Sequence, residues 1–171
     1  RSVNDGESML LTGYLTNVVG LDAAALFTDA SSNVEAARFT VQGEIAIDAS
    51  AGRADVTETT GSGVLRVFFN EPGGAAWEDP GTFAGGSLVA EYTIDLSESL
   101  QRQAPGVGVV VGVGQMVQTT ASEFTLAGTP YRFGVSGIEL RLRYVGAQAG
   151  DETPLAVDFT GTTTVTQRES R

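Results

Sequence analysis

Hydrophobic and polar positions alternate along most of this chain. Phe39, Val41, Ile45 and Ile47 alternate with Thr40, Gln42 and Glu44 between Val34 and Asp48. From Ser87 to Ser97, Leu88, Ala90, Tyr92, Ile94 and Leu96 share one face, and Glu91, Thr93 and Asp95 the other. The pattern returns from Gly137 to Val145, with Ile138, Leu140, Leu142 and Tyr144 opposed to Glu139, Arg141 and Arg143. It returns again from Leu155 to Gln167, with Leu155, Val157, Phe159 and Val165 opposed to Asp158, Thr160, Thr162 and Thr164. A period of two places successive side chains on opposite faces of an extended strand. One dry and one wet face per strand favours antiparallel pairing.

Weaker runs at Met9–Val19, Arg53–Thr59, Val64–Phe69, Phe124–Leu126 and Tyr131–Phe133 also read as extended. Turn-forming residues separate them at 48–52, Gly61-Ser62-Gly63 and Ala127-Gly128-Thr129-Pro130. Leu21–Phe27 fits a short helix or a strand, and Ser97–Gln103 fits a helical turn. Several runs are long, and long twisted strands close into barrels or curl across sandwiches. The expected fold is therefore all-β: one domain over residues 1–171, a mostly antiparallel β-barrel or β-sandwich with long strands. Residues 1–8 form an N-terminal arm, and a Gly/Pro-rich loop spans 70–86.

One strand breaks the dry-and-wet rule. In Val107–Thr119, Val107, Val109, Val111, Val113 and Val117 point one way, while Gly106, Gly108, Val110, Gly112, Gly114 and Met116 point the other. A strand-interior glycine costs about 0.5–1 kcal/mol, so a stripe of them asks for compensation. Sharp coiling of the strand, a close-packed backbone or side chain, or a ligand lying flush would each supply it. Gly106, Gly108, Gly112, Gly114 and Met116 are therefore candidate interface or ligand contacts. Trp77, the only tryptophan, and Phe83 join them from the 70–86 loop, as a plug for one barrel end or as a lid or partner anchor. Glu58 shares a face with Val56, and Arg66 lies between Val64 and Phe68, which makes them a candidate inward polar pair.

Composition narrows the chemistry. The chain has no cysteine and no histidine, and its ten basic residues are all arginine. Thiol nucleophiles, imidazole relays, Cys- or His-ligated metals and lysine Schiff bases are thus excluded. No catalytic residue, metal ligand set or cofactor motif is assigned; the glycine spacing differs from the dinucleotide fingerprint. Asp22 with Asp29, or Asp151 with Glu152, offers at most weak calcium ligation. A net charge of −11 disfavours nucleic acid and anionic membrane surfaces as partners. No apolar run is long enough for a membrane-spanning helix. A chain that opens on Arg1, is rich in Thr, Gly and Ala and lacks lysine is expected to be exported, its signal already removed, to the extracellular space or cell surface.

These features favour a non-catalytic structural protein that binds copies of itself, by strand addition or close sheet packing, in a surface layer or filament. A barrel binding a small apolar ligand is the alternative, and a cofactor-free cyclase or isomerase a further one.

Overall fold

The alternating runs do become strands, and the strands close on one another. In the computed structural model, which describes residues 1–148, 150 and 154–166, ten strands are formed. They are β1 (Ser2–Asn4), β2 (Ser8–Tyr14), β3 (Phe39–Arg53), β4 (Val56–Phe69), β5 (Ser87–Ala104), β6 (Val107–Ala121), β7 (Glu123–Leu126), β8 (Thr129–Arg132), β9 (Glu139–Gln148) and β10 (Leu155–Val165). One helical turn, α1 (Ala23–Leu26), is capped by the Asp22 carboxylate, which accepts from the Ala25 N–H. A 3₁₀ turn (Pro80–Ala84) lies in the long loop.

Eight strands form a closed barrel in the order β1-β10-β9-β6-β5-β4-β3-β2, and every adjacent pair is antiparallel. β7 and β8 form a separate hairpin. The expected fold class holds, and the differences are local: Ser2–Asn4 of the expected arm is a strand of the wall, and the run from Met9 is strand only as far as Tyr14. Residues 48–52 continue β3, and the turn falls at Ala54-Asp55, where Ala54 takes φ +52°. Gly61-Ser62-Gly63 runs straight through β4, paired with β3 and β5 on its two sides. Ser97–Gln103 is strand, because β5 continues to Ala104 and pairs with β6 almost to its tip. At Gly61 and Gly63 the missing side chain lets the β3 backbone lie close, since a methyl there would collide with the Ala46 and Glu44 carbonyls.

The barrel is filled from its walls. Met9, Leu11, Ile45, Val67, Tyr92, Ile94, Leu96, Leu100, Val110, Met116 and Val157 are all buried in one cluster. At the end where β3 begins and β4 finishes, Phe124 of β7 lies 5.4 Å from Phe39 and 5.0 Å from Phe69, ring centre to ring centre. The β7–β8 hairpin thus supplies the aromatic plug. Its turn, Ala127-Gly128, has both residues at positive φ, the geometry that matches the twist of a two-residue hairpin.

Candidate functional site

The glycine stripe of β6 faces the barrel interior, and the chain's own side chains lie over it. A methyl placed on Gly114 would sit 2.8 Å from Ile94 Cδ1, and one on Gly108 2.8 Å from Leu100 Cδ1 and 2.9 Å from Gln148 Oε1. At Gly112 it would overlap the Tyr144 ring. Met116 is buried between its register partners Ile94 and Leu140. Gly106 belongs to the Pro105-Gly106 turn rather than to the stripe; its φ of +69° is one that glycine adopts freely. Neighbouring strands repeat the device: a methyl on Gly43 would crowd Leu65 and Leu11, and one on Gly61 would crowd Ile45.

One row across the sheet carries the interior's acid and the phenol bonded to it. Thr59 on β4, Glu98 on β5, Gly112 on β6 and Tyr144 on β9 are successive register partners. Because Gly112 has no side chain, the Tyr144 ring crosses β6, and its hydroxyl donates to Glu98 Oε2 at 2.6 Å. Glu98 is 7% exposed and Tyr144 5%. Phe159 of β10 covers the tyrosine at 5.0 Å. Burial pushes the Glu98 carboxyl above the usual range, and the bond from Tyr144 pulls it partly back. Burial, and then the adjacent carboxyl, raise the Tyr144 phenol as well. Tyr92, also inward, is pushed up to about 12 by burial.

The expected pair of Glu58 and Arg66 does not form. Both point outward, since Thr57, Thr59, Gly61 and Leu65 occupy the alternate positions of β4 that register with interior residues of β5. Glu58 is exposed. Arg66 bonds instead to Glu91 at 2.9 Å across β5, with Glu44 of β3 at 3.8 Å. Glu98 is the interior acid, and its signal was the even-numbered face of β5 carried one step past Leu96, with Leu100 following.

Trp77 and Phe83 lie on the outside of the wall. Phe83 is fully buried against Val34 and Ala75, with Trp77 packed on it at 5.0 Å and Tyr14 6.3 Å from Trp77. The outward-facing Thr40 donates to the Phe83 carbonyl at 2.6 Å, and Gln42 to the Pro80 carbonyl at 3.3 Å. The loop therefore straps β2 and β3 externally. It neither plugs the barrel nor covers β6, because its docking partners stand on the outer face of strands remote from β6 in the ring.

The valines of β6 take the outer face. Val107, Val111 and Val117 are 50%, 54% and 41% exposed, and Val145 of β9, the direct register partner of Val111, is 50% exposed. Val109 pairs with Ala147 beside them. Asp22 and Asp29 serve as local caps, Asp29 accepting from the Ser31 N–H and hydroxyl; Asp151 and Glu152 lie outside the described residues. Two open surface grooves accompany the valine wall elsewhere: about 500 Å³ over the β2–β3–β4 surface, and about 290 Å³ between Val18–Leu21 and the β7–β8 hairpin.

Comparison with protein-family models, with curated proteins and with solved structures finds no match to this chain.

Proposed function

We propose that this protein is a non-catalytic, exported building block that associates with copies of itself in an extracellular surface layer or filament. The observation that carries the reading is the valine wall. Strand faces turned to water elsewhere in this barrel carry Thr93, Asp95 and Ser97 on β5, or Asp158, Thr160 and Thr162 on β10. The first half of the outer face of β6 carries Val107, Val109, Val111 and Val113, continued by Val145 and Ala147 on β9; it ends at Gln115, with Arg143 and Arg141 of β9 alongside, and Val117 stands beyond. Contiguous apolar surface on a soluble β-sheet marks a contact face. At a net charge of −11, a valine patch bordered by Arg143 and Arg141 also gives two copies a place to meet without carboxylates opposed. With the glycine positions occupied from within, the small-ligand alternative is left without space along that strand.

Sedimentation velocity over a micromolar concentration series tests the reading. The wild type is expected to populate dimers or larger species. Val111→Glu with Val145→Glu is expected to stay monomeric with an unchanged far-UV circular dichroism spectrum. A wild type that remains monomeric throughout the series overturns the proposal.

A further inference from the structure

The ring is closed by three residues. Ser2, Val3 and Asn4 pair with Leu11, Leu10 and Met9 of β2 on one side and with Val157, Ala156 and Leu155 of β10 on the other. Among the described residues no other strand joins β10 to β2. The site that holds β1 is strongly specified, because without it both β2 and β10 present bare backbone edges. The strand is held by its backbone, with the pairing to β2 extended by the bond from Thr12 N–H to the Arg1 carbonyl at 2.8 Å, and its side chains add little. Ser2 is its only buried residue, and no β1 side chain belongs to the core cluster. It joins β2 through Asp5-Gly6-Glu7, with Gly6 at φ +98°. The closed form of this link is held by the Asp5 carboxylate, which accepts from the Glu7 and Ser8 N–H groups, by Asn4 Oδ1, which accepts from Gly6 N–H, and by backbone bonds from Asp5 N–H to the Ser8 carbonyl and from Ile47 N–H to the Glu7 carbonyl.

We propose that β1 is exchanged between two copies of this chain, each copy's Ser2–Asn4 closing the barrel of the other between β2 and β10. This rests on the self-association reading and names the element that performs it. A second copy is the occupant because it brings the same three residues to the same register partners. Every bond of the closed barrel is then remade, and only the link at 5–7 changes conformation. The seam also adjoins the valine wall: β10 pairs with β9, which carries Val145. An exchanged strand therefore holds two barrels together beside the apolar face.

The chain has no cysteine, so an introduced pair reports without background. Val3→Cys with Ala156→Cys joins register partners, and Asn4→Cys with Leu155→Cys is the second pair should the first fail to oxidise. Oxidation of assembled protein is expected to give covalent dimers on a non-reducing gel. Oxidation of dilute monomer is expected to lock β1 within its own chain and abolish assembly until reductant is added. If assembled protein yields only internally cross-linked monomer, or if locked monomer assembles like wild type, exchange is overturned while self-association stands. If neither wild type nor variant assembles, both proposals fall.

Discussion

Tyr144 reaches Glu98 across a strand that lies between them, and it does so because residue 112 on that strand is glycine. The phenol–carboxyl bond of 2.6 Å spans β9 to β5 over β6. Gly112→Ala forces a methyl into the Tyr144 ring. Overpacking of a filled core costs about 1–3 kcal/mol, and this variant is expected to lose stability in that range by urea denaturation. Gly52→Ala is the control: it is exposed and its nearest would-be neighbour is 3.7 Å away. That variant is expected to stay within about 0.5 kcal/mol of wild type.

Glu98 makes stability pH-dependent with a sign opposite to that of most carboxylates. Its folded-state carboxyl titrates above the ordinary range because burial disfavours the charge. The unfolded chain ionises near the usual glutamate value of about 4.3. The barrel therefore carries no penalty from this group below that value. It loses stability as pH rises from there to the folded-state value, and the loss is constant above. Glu98→Gln is expected to match wild type in acid and to exceed it at neutral pH, measured as the difference between two urea-denaturation series against pH. A difference that is flat with pH would show that the carboxyl is not desolvated.

Tyr144→Phe removes the only side-chain bond described for that carboxyl. Leaving a buried group unsatisfied costs about 1–3 kcal/mol, more when it is charged. The substitution is expected to be more damaging in the wild type than in the Glu98→Gln background at neutral pH. A double-mutant cycle reads the coupling directly, and additive effects would place the two side chains out of contact.

The outer ion pairs are expected to matter little. Arg66 and Glu91 are each close to 30% exposed, and pairs of this kind contribute about 0–1 kcal/mol and weaken with salt. Arg66→Ala is expected to cost no more than that, with a smaller cost in high salt. Glu58→Ala is expected to be neutral and uncoupled to Arg66, since the two share no contact.

The strap of the long loop gives a separate optical handle. Thr40→Ala deletes the bond to the Phe83 carbonyl, worth about 0.5–1.5 kcal/mol. The single tryptophan sits beside Phe83, so loosening of the strap is expected to shift Trp77 emission to the red with β-sheet circular dichroism retained. Unchanged emission would mean that the loop stays docked without this bond.

Alternation alone made most of this architecture legible. It placed Ile94 and Leu96 inside and Thr93 and Asp95 outside, and it did the same for β9 and β10, because the two faces of those strands differ in polarity. It failed where both faces are small or polar. Along Thr57–Gly63 neither parity reads as dry, so the pattern alone points Glu58 inward and makes Gly61–Gly63 a turn. Lateral neighbours are also invisible to a one-strand pattern. The stripe of β6 announces that something must fill it, and a tyrosine on β9 and an isoleucine on β5 do so only because the barrel order brings them alongside. The position of Trp77 escapes the pattern for the same reason: its docking partners, Tyr14 and Phe83, meet only through the outer face of β2 and β3.

The pairing of bare and bulky positions has a consequence for how the sheet finds its alignment. Sliding β9 along β6 by two residues preserves every inside–outside assignment, so polarity alone tolerates the error. The Tyr144 ring does not. One direction drives it onto Val110, and the other carries it opposite Gly114 and Leu96, away from Glu98. The gap left by Gly112 thus works as a keyway for one side chain: a slip one way jams it on a valine, and a slip the other way parts it from the acid it seats against.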